Sequence, residues 1–236
     1  MIQNPLYLLL PPLPHVNFMI ITPAILAHDE ADCKAKLFEP SLKGVVPRFH
    51  IDVLDGTMFD ATCFADPAII GSWKGLPEIE IHLMVSDPMK HAVAFKRFVP
   101  TLKKVIIHKE IPRSLHRVIN QCMSMQLEIA LAINPRTEIA GIERYENDIQ
   151  ELLVMGVNPG ASGQTFLGEP ILAKIRRARA LFPEMPIAVD GGVNTATIHA
   201  ITLAGATRSI AASAIWSESV PQQGLEELSR CAIMSV

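Results

Sequence analysis

The first groups in this chain that could do chemistry are an imidazole and a carboxylate one residue apart, in His50-Ile51-Asp52. In an extended strand alternate side chains share a face, so His50 and Asp52 point one way and Ile51 and Val53 the other. Two polar groups on one buried face are costly unless something pairs them. A hydrogen bond within the core would serve. So would a bound cation, since imidazole and carboxylate both ligate Zn²⁺ and similar ions. His82 stands in an otherwise apolar run, Ile81-His82-Leu83-Met84-Val85, where a hydrogen-bonded core histidine is the simpler reading. Asp190 closes the run Ile187-Ala188-Val189 and precedes Gly191-Gly192, either as a helix cap or beside a backbone that a ligand can approach closely. Together the four residues say more than any one of them, because two histidines and two aspartates make a complete metal-ligand set.

Three small-residue segments could hold an anion. Val157-Asn158-Pro159-Gly160-Ala161-Ser162-Gly163-Gln164 leads into a helix-length stretch, Gly191-Gly192 follows Asp190, and Ala211-Ala212-Ser213-Ala214 offers amides at the head of another helix. Backbone N–H groups at such turns and helix starts bind phosphate without a net positive charge. One glycine turn is a weak signal. Three in succession on one side of a fold point to a phosphate site.

The elements that must position these groups are short apolar runs alternating with amphipathic stretches. Strands are predicted at Phe18–Ile21, Phe49–Leu54, Ile79–Met84, Lys104–His108, Leu127–Ile133, Leu152–Val157, Ile187–Val189 and Arg208–Ala211. Helix-length segments between them include Asp29–Phe38, Pro88–Phe98, Arg113–Met125, Gly168–Leu181 and Asn194–Ala204. This alternation predicts an α/β fold, a single (β/α)₈ TIM barrel, over residues 18–236. Right-handed crossovers put every strand's C-terminal end on one face, where such barrels carry their chemistry. Only closure of the barrel would bring the ends of the second, third and seventh strands together. A hydrophobic share of 49% with only 6% aromatics suits aliphatic strands buried on both faces.

Residues 1–17 are expected to lie outside the barrel as an extension. Their apolar run Leu6–Leu10 is too short to cross a bilayer, and they show neither a basic start nor a small-residue cleavage site. The net charge of −3 argues against a nucleic-acid or anionic-membrane surface. Cys33, Cys63, Cys122 and Cys231 lack paired spacing, which predicts reduced thiols in a cytoplasmic protein. Lys103-Lys104 and Arg176-Arg177 read as solvated surface, and His199 as a solvated or capping residue. His108 with Glu110 reads equally as support for the site or as a structural hydrogen bond.

Taken in order, ITPAILAHD, HIDVLDG, IHLMVSDP, VIIHKE, LAINPRTE, VMGVNPGASGQTF, AVDGGVN and AGATRSIAASAIW resemble the ribulose-phosphate 3-epimerase family from Ile20 to about Trp216. The resemblance implies a barrel of the ribulose-phosphate-binding type and one divalent metal ion: zinc, iron, manganese or cobalt. It places the ligands at His50, Asp52, His82 and Asp190, with Asp52 and Asp190 also the acid/base pair. It implies a substrate and phosphate grip at Gly160, Ala161, Ser162, Gly163, Gly191, Gly192, Ala212 and Ser213, with His82 beside the substrate. Leu54, Met84 and Met155 match the apolar cap over a metal-stabilised cis-enediolate. The implied reaction is epimerisation at C3 of a ketose phosphate, D-ribulose 5-phosphate to D-xylulose 5-phosphate. The implied partners are this small sugar phosphate and further copies of the chain, with neither nucleic acid nor membrane involved.

The chain departs from the family's pattern at several substrate-facing places. Ala24 replaces the serine of PSIL, Thr57-Met58-Phe59-Asp60-Ala61 replaces HFVPN, and Ala161 and Ser162 replace the centre of GFGGQ. Ala212 replaces a glycine and Leu54 a methionine. These changes spare the metal and proton-transfer positions and bear on substrate and rate. They leave two alternatives, a 3-epimerase of another ketose phosphate such as allulose 6-phosphate, and a catalytically silent sugar-phosphate binding module. A related decarboxylase or aldolase would show DxKxxD, and HIDVLDG has no lysine.

Overall fold

Eight strands pair edge to edge in the order of the sequence, and the last returns to the first. The computed structural model describes residues 19–161 and 163–233. Its strands are β1 (Ile20–Ile25), β2 (Phe49–Leu54), β3 (Ile79–Met84), β4 (Leu102–His108), β5 (Glu128–Ile133), β6 (Glu151–Met155), β7 (Ile187–Asp190) and β8 (Arg208–Ala211). All neighbours are parallel and β1 pairs with β8, so the sheet is a closed barrel. The helices are α1 (Glu30–Leu37), α2 (Pro67–Ser72), α3 (Pro88–Phe98), α4 (Leu115–Ser124), α5 (Glu169–Leu181), α6 (Ile198–Leu203), α7 (Ser213–Trp216) and α8 (Pro221–Ile233). After β5 there is only a 3₁₀ turn, Glu143–Tyr145. The fold is the predicted (β/α)₈ TIM barrel. Among the described residues no helix is long and apolar enough to cross a membrane.

The two-residue period of the strands sorts the core into two shells. Ile51, Val53, Ile81, Leu83, Val105, Ile107, Leu152 and Val154 point outward beneath the helices. Ala24, Ile106, Ala130, Ala132, Leu153, Met155, Ala188 and Ile210 fill the barrel interior. The interior set is rich in alanine, which leaves room for longer polar side chains above and below it.

Below it, at the starts of the strands, lie Glu80, Lys104, Glu151 and Arg208, all buried. Arg208 donates to Glu151 through Nε (2.8 Å) and Nη2 (2.6 Å), and through Nη1 to Glu80 Oε1 (2.8 Å) and Thr22 Oγ1 (3.0 Å). Lys104 Nζ stands 3.4 Å from Glu151 Oε2. Lys104 is therefore not the solvated residue expected. Adjacent strand residues face opposite ways, so Lys103 reaches solvent and Lys104 enters the barrel.

Other expectations shift for local reasons. The first strand is Ile20–Ile25, not Phe18–Ile21; Pro23 does not end it, because its place is in register with Ala211 of β8. Asn194–Ala204 shortens to Ile198–Leu203, since Asn194 Oδ1 accepts from the N–H groups of Ala196 (2.9 Å) and Thr197 (3.2 Å), a turn that competes with helix. His199 is not solvated either; both its ring nitrogens are buried without a partner among the described residues. The expected extension, residues 1–17, lies outside the described residues, as do Phe18 and Ser162. The four cysteines are unpaired. At the seam of the barrel, Trp216 Nε1 donates to the carbonyl of Ala24 (2.5 Å) and ties α7 to β1.

Candidate functional site

His50 and Asp52 share the inner face of β2, His82 stands beside them on β3, and Asp190 ends β7. One ligand atom from each lies within 4.8 Å of the others. His50 Nε2 is 3.3 Å from Asp52 Oδ1 and 3.9 Å from Asp190 Oδ2, while His82 Nδ1 is 3.3 Å and 3.2 Å from the same two oxygens. Ligands about 2.1 Å from one ion in a tetrahedron stand roughly 3.4 Å apart, so this is the spacing of a metal shell. His82 Nδ1 is also fully buried and makes no hydrogen bond among the described residues, although two carboxylate oxygens face it. A nitrogen so placed has its lone pair free for a cation. The donor set fits a divalent metal.

The charges say the same. Burial alone would raise the Asp52 carboxyl, yet His50 and His82 hold it well below the usual carboxylate range. Burial alone would lower His50, yet Asp52 and Glu80 push it up to about 10. His82 is raised against its burial by Asp190 and Asp52. The carboxylates thus call for positive charge at this cluster, a demand that a divalent ion would meet.

Above the cluster lies one cleft at the C-terminal mouth of the barrel. It is lined by Asp52 and Asp190, by Leu54, Met84 and Met155, by Gly160, Ala161 and Gly163, by Gly191 and Gly192, and by Ala212 and Ser213. His50 and His82 lie beneath its floor, with no exposed surface. Of the site residues expected from the sequence, Ser162 alone falls outside the described residues. Gln164 Nε2 donates to the carbonyls of Asn158 (2.7 Å) and Ala161 (2.9 Å) and curls the loop after β6 back on itself. The loop after β2 rests over it, since a Cβ built on Gly160 would touch the Cβ atoms of Ala61 (3.8 Å) and Phe59 (3.9 Å).

Gly192 has a positive φ of 70°, and a Cβ there would come within 2.6 Å of the Phe166 backbone. Gly192→Ala therefore combines a strained backbone with overpacking, and is expected to cost about 1–3 kcal/mol of stability. Urea unfolding of the variant beside the parent checks this.

Three neighbours of the cluster escaped the sequence reading or were left undecided by it. Glu80 Oε1 lies 2.8 Å from His50 Nδ1, and His108 Nε2 lies 2.8 Å from His82 Nε2. Glu110 Oε2 is 3.3 Å from His108 Nδ1, with its carboxyl lowered to about 2 because His108, Thr137 and the Asn134 amide outweigh its burial. Glu80 carries a sequence signal, since a glutamate two residues before His82 shares its buried face.

The sequence matches the ribulose-phosphate 3 epimerase family over residues 20–216. The chain belongs to that family. It is 30% identical to the ribulose-phosphate 3-epimerase of Bacillus subtilis (strain 168), over 88% of this chain and 97% of that protein. It is 32% identical to the ribulose-phosphate 3-epimerase of Methanocaldococcus jannaschii, over 78% of this chain and 79% of that one. In fold it is similar to orotidine 5'-monophosphate decarboxylase from Sulfolobus solfataricus, with a TM-score of 0.60 and 14% identity over 91% of this chain and 97% of that one. As a member of the epimerase family it is an isomerase, here built on a (β/α)₈ barrel.

Proposed function

We propose that this epimerase interconverts D-ribulose 5-phosphate and D-xylulose 5-phosphate at C3, with Asp52 and Asp190 as the proton-transfer pair. The observation that carries this is the placement of both carboxylates in one cleft, each within 3.3 Å of the unpartnered Nδ1 of His82. Epimerisation beside a carbonyl removes a proton from carbon on one face and returns one on the other, so it needs two groups that exchange acid and base roles. Asp52 and Asp190 come from strands separated by β8 and β1 around the barrel, which lets them reach a bound sugar from different directions. A divalent cation held by His50, Asp52, His82 and Asp190 supplies positive charge to offset the anion left when the proton departs. The donor set suits zinc, iron, manganese or cobalt.

Leu54, Met84 and Met155 keep water from the reacting carbons. The amides of Gly160–Gly163, Gly191, Gly192, Ala212 and Ser213 take the phosphate. A homo-oligomer in the cytoplasm completes the reading. The same chemistry on another ketose phosphate, such as allulose 6-phosphate, draws support from Phe59 and Ala61 lying against the phosphate loop. Metal-supplemented protein with ribulose 5-phosphate in D₂O tests the proposal. Deuterium at C3 with xylulose 5-phosphate formed is the expected result. Neither product nor exchange, with metal bound, would overturn ribulose 5-phosphate as substrate, and the same assay on allulose 6-phosphate would then decide the second reading.

A further inference from the structure

We propose that each ligand histidine is locked in its metal-binding tautomer by a carboxylate of its own: the buried Glu80 acting directly on His50, and the half-buried Glu110 acting on His82 through His108. The inference rests on the metal reading of the cluster. A neutral imidazole has one N–H and one bare nitrogen, and only the bare nitrogen can ligate. Which nitrogen is bare follows from the partner that the other one has.

For His50 the assignment takes one step. Nδ1 lies 2.8 Å from Glu80 Oε1, and an ionised carboxylate only accepts, so Nδ1 carries the hydrogen. Nε2 is then the ligand atom, and it is the nitrogen that faces Asp52 and Asp190. Glu80 is held in place from behind, because Arg208 Nη1 donates to the same oxygen at 2.8 Å while its other nitrogens grip Glu151.

For His82 it takes two. The Nε2 atoms of His82 and His108 are 2.8 Å apart, in nearly parallel rings (10°), so one must donate and the other accept. His108 Nδ1 faces Glu110 Oε2 at 3.3 Å and therefore carries its hydrogen, which leaves His108 Nε2 as the acceptor. His82 Nε2 must then donate, and His82 Nδ1 is bare. That atom is the buried nitrogen with no hydrogen-bond partner, between the two aspartate oxygens. Glu110 is itself fixed by the N–H of Asn134, 2.8 Å from Oε1. With the opposite polarity along this chain, His82 would aim a hydrogen at the cation. Glu80, His108 and Glu110 are positioning residues; none of them lines the cleft.

Ligand-orienting partners of this kind typically change metal affinity 10–100-fold. Glu110→Leu, which removes the acceptor, is expected to weaken Zn²⁺ binding by about that factor in a chelator competition titration. Glu110→Gln retains an amide oxygen that can accept from His108 and is expected to bind within a few-fold of the parent. A role in packing alone would not produce this difference. Nitrogen-15 spectra of the histidines in the Zn²⁺-loaded parent give a second, independent readout. They should show His50 bound through Nε2 with hydrogen on Nδ1, His82 bound through Nδ1 with hydrogen on Nε2, and His108 with hydrogen on Nδ1. Zinc bound with any other tautomer pattern, or unchanged affinity in Glu110→Leu, overturns the lock while the metal site stands. A parent protein that binds no zinc, manganese or cobalt overturns both. Should Glu110→Leu fail to fold, the parent's spectra still decide.

Discussion

Asp190→Asn is expected to lower kcat for epimerisation by about 10²–10⁴-fold at saturating metal, the usual worth of a positioned acid or base. The more telling result lies in what survives. If each carboxylate serves one face of the substrate carbon, asparagine at one position leaves the other aspartate able to take a proton and exchange it with solvent. In D₂O the variant should then exchange the C3 proton of one epimer without converting it, and leave the other epimer untouched. Asp52→Asn should show the mirror image. Proton NMR of each pure epimer, with bound metal measured alongside, reads both effects. Equal loss of exchange from both epimers in both variants, with metal retained, would assign the two carboxylates to holding the cation and leave proton transfer to another group.

The second large effect lies at the other end of the barrel. Arg208→Met is expected to cost about 3–5 kcal/mol of folding stability, because it leaves two buried carboxylates without their main counter-charge. Lys104 still stands 3.4 Å from Glu151 and 3.9 Å from Glu80, and Glu80 keeps His50 Nδ1 at 2.8 Å and Arg48 Nη1 at 3.9 Å, but none of these replaces the paired donors of the guanidinium. Thermal unfolding should show a midpoint lower by on the order of 10 °C in a chain of this length. The pH dependence has a definite sign. Burial raises the Glu80 carboxyl, but Arg208 and His50 outweigh it and hold the group below its ordinary value. A depressed carboxyl contributes stability above its unfolded pKa of about 4.3 and loses it as the pH falls below that. The deficit of Arg208→Met should therefore be greatest at neutral pH and narrow below about pH 4.5. A double variant that also carries Glu151→Leu should recover part of the loss, since a carboxylate removed needs no partner.

The site was more legible in the sequence than the framework beneath it. His50, Asp52, His82 and Asp190 announce themselves because they are polar residues at the ends of apolar runs, and strand parity settles which way they face. Parity at the beginnings of the strands went unread. Lys104, beside Lys103, looked like surface, and Arg208 like an ordinary strand start, because a charge next to a turn is usually solvated. Both are buried against Glu151 and Glu80, which for Arg208 lie 57 and 128 residues away, and no local pattern records such pairings. Pro23 fits within β1 because β1 meets β2 only from Ala24 onward, so the missing N–H falls outside that pairing. The His82–His108–Glu110 chain could be suspected from the spacing of His108 and Glu110, but its direction needed the distances.

The seam between β1 and β8 has a consequence for the order in which this chain can fold. Arg208 reaches Thr22 across 186 residues, and Trp216 reaches Ala24 across 192. Contacts so remote in sequence carry the largest loop-closure cost and tend to form late. Before β8 and β1 close the ring, Asp190 on β7 and His50 on β2 stand at opposite edges of the run from β2 to β7, so the four-residue cluster has no scaffold until that seam closes. A nascent chain that has made β7 but not β8 already carries all four residues of the cluster and still lacks the geometry that gathers them. A cation that binds only the closed form draws the closing step forward, in proportion to how tightly it is held.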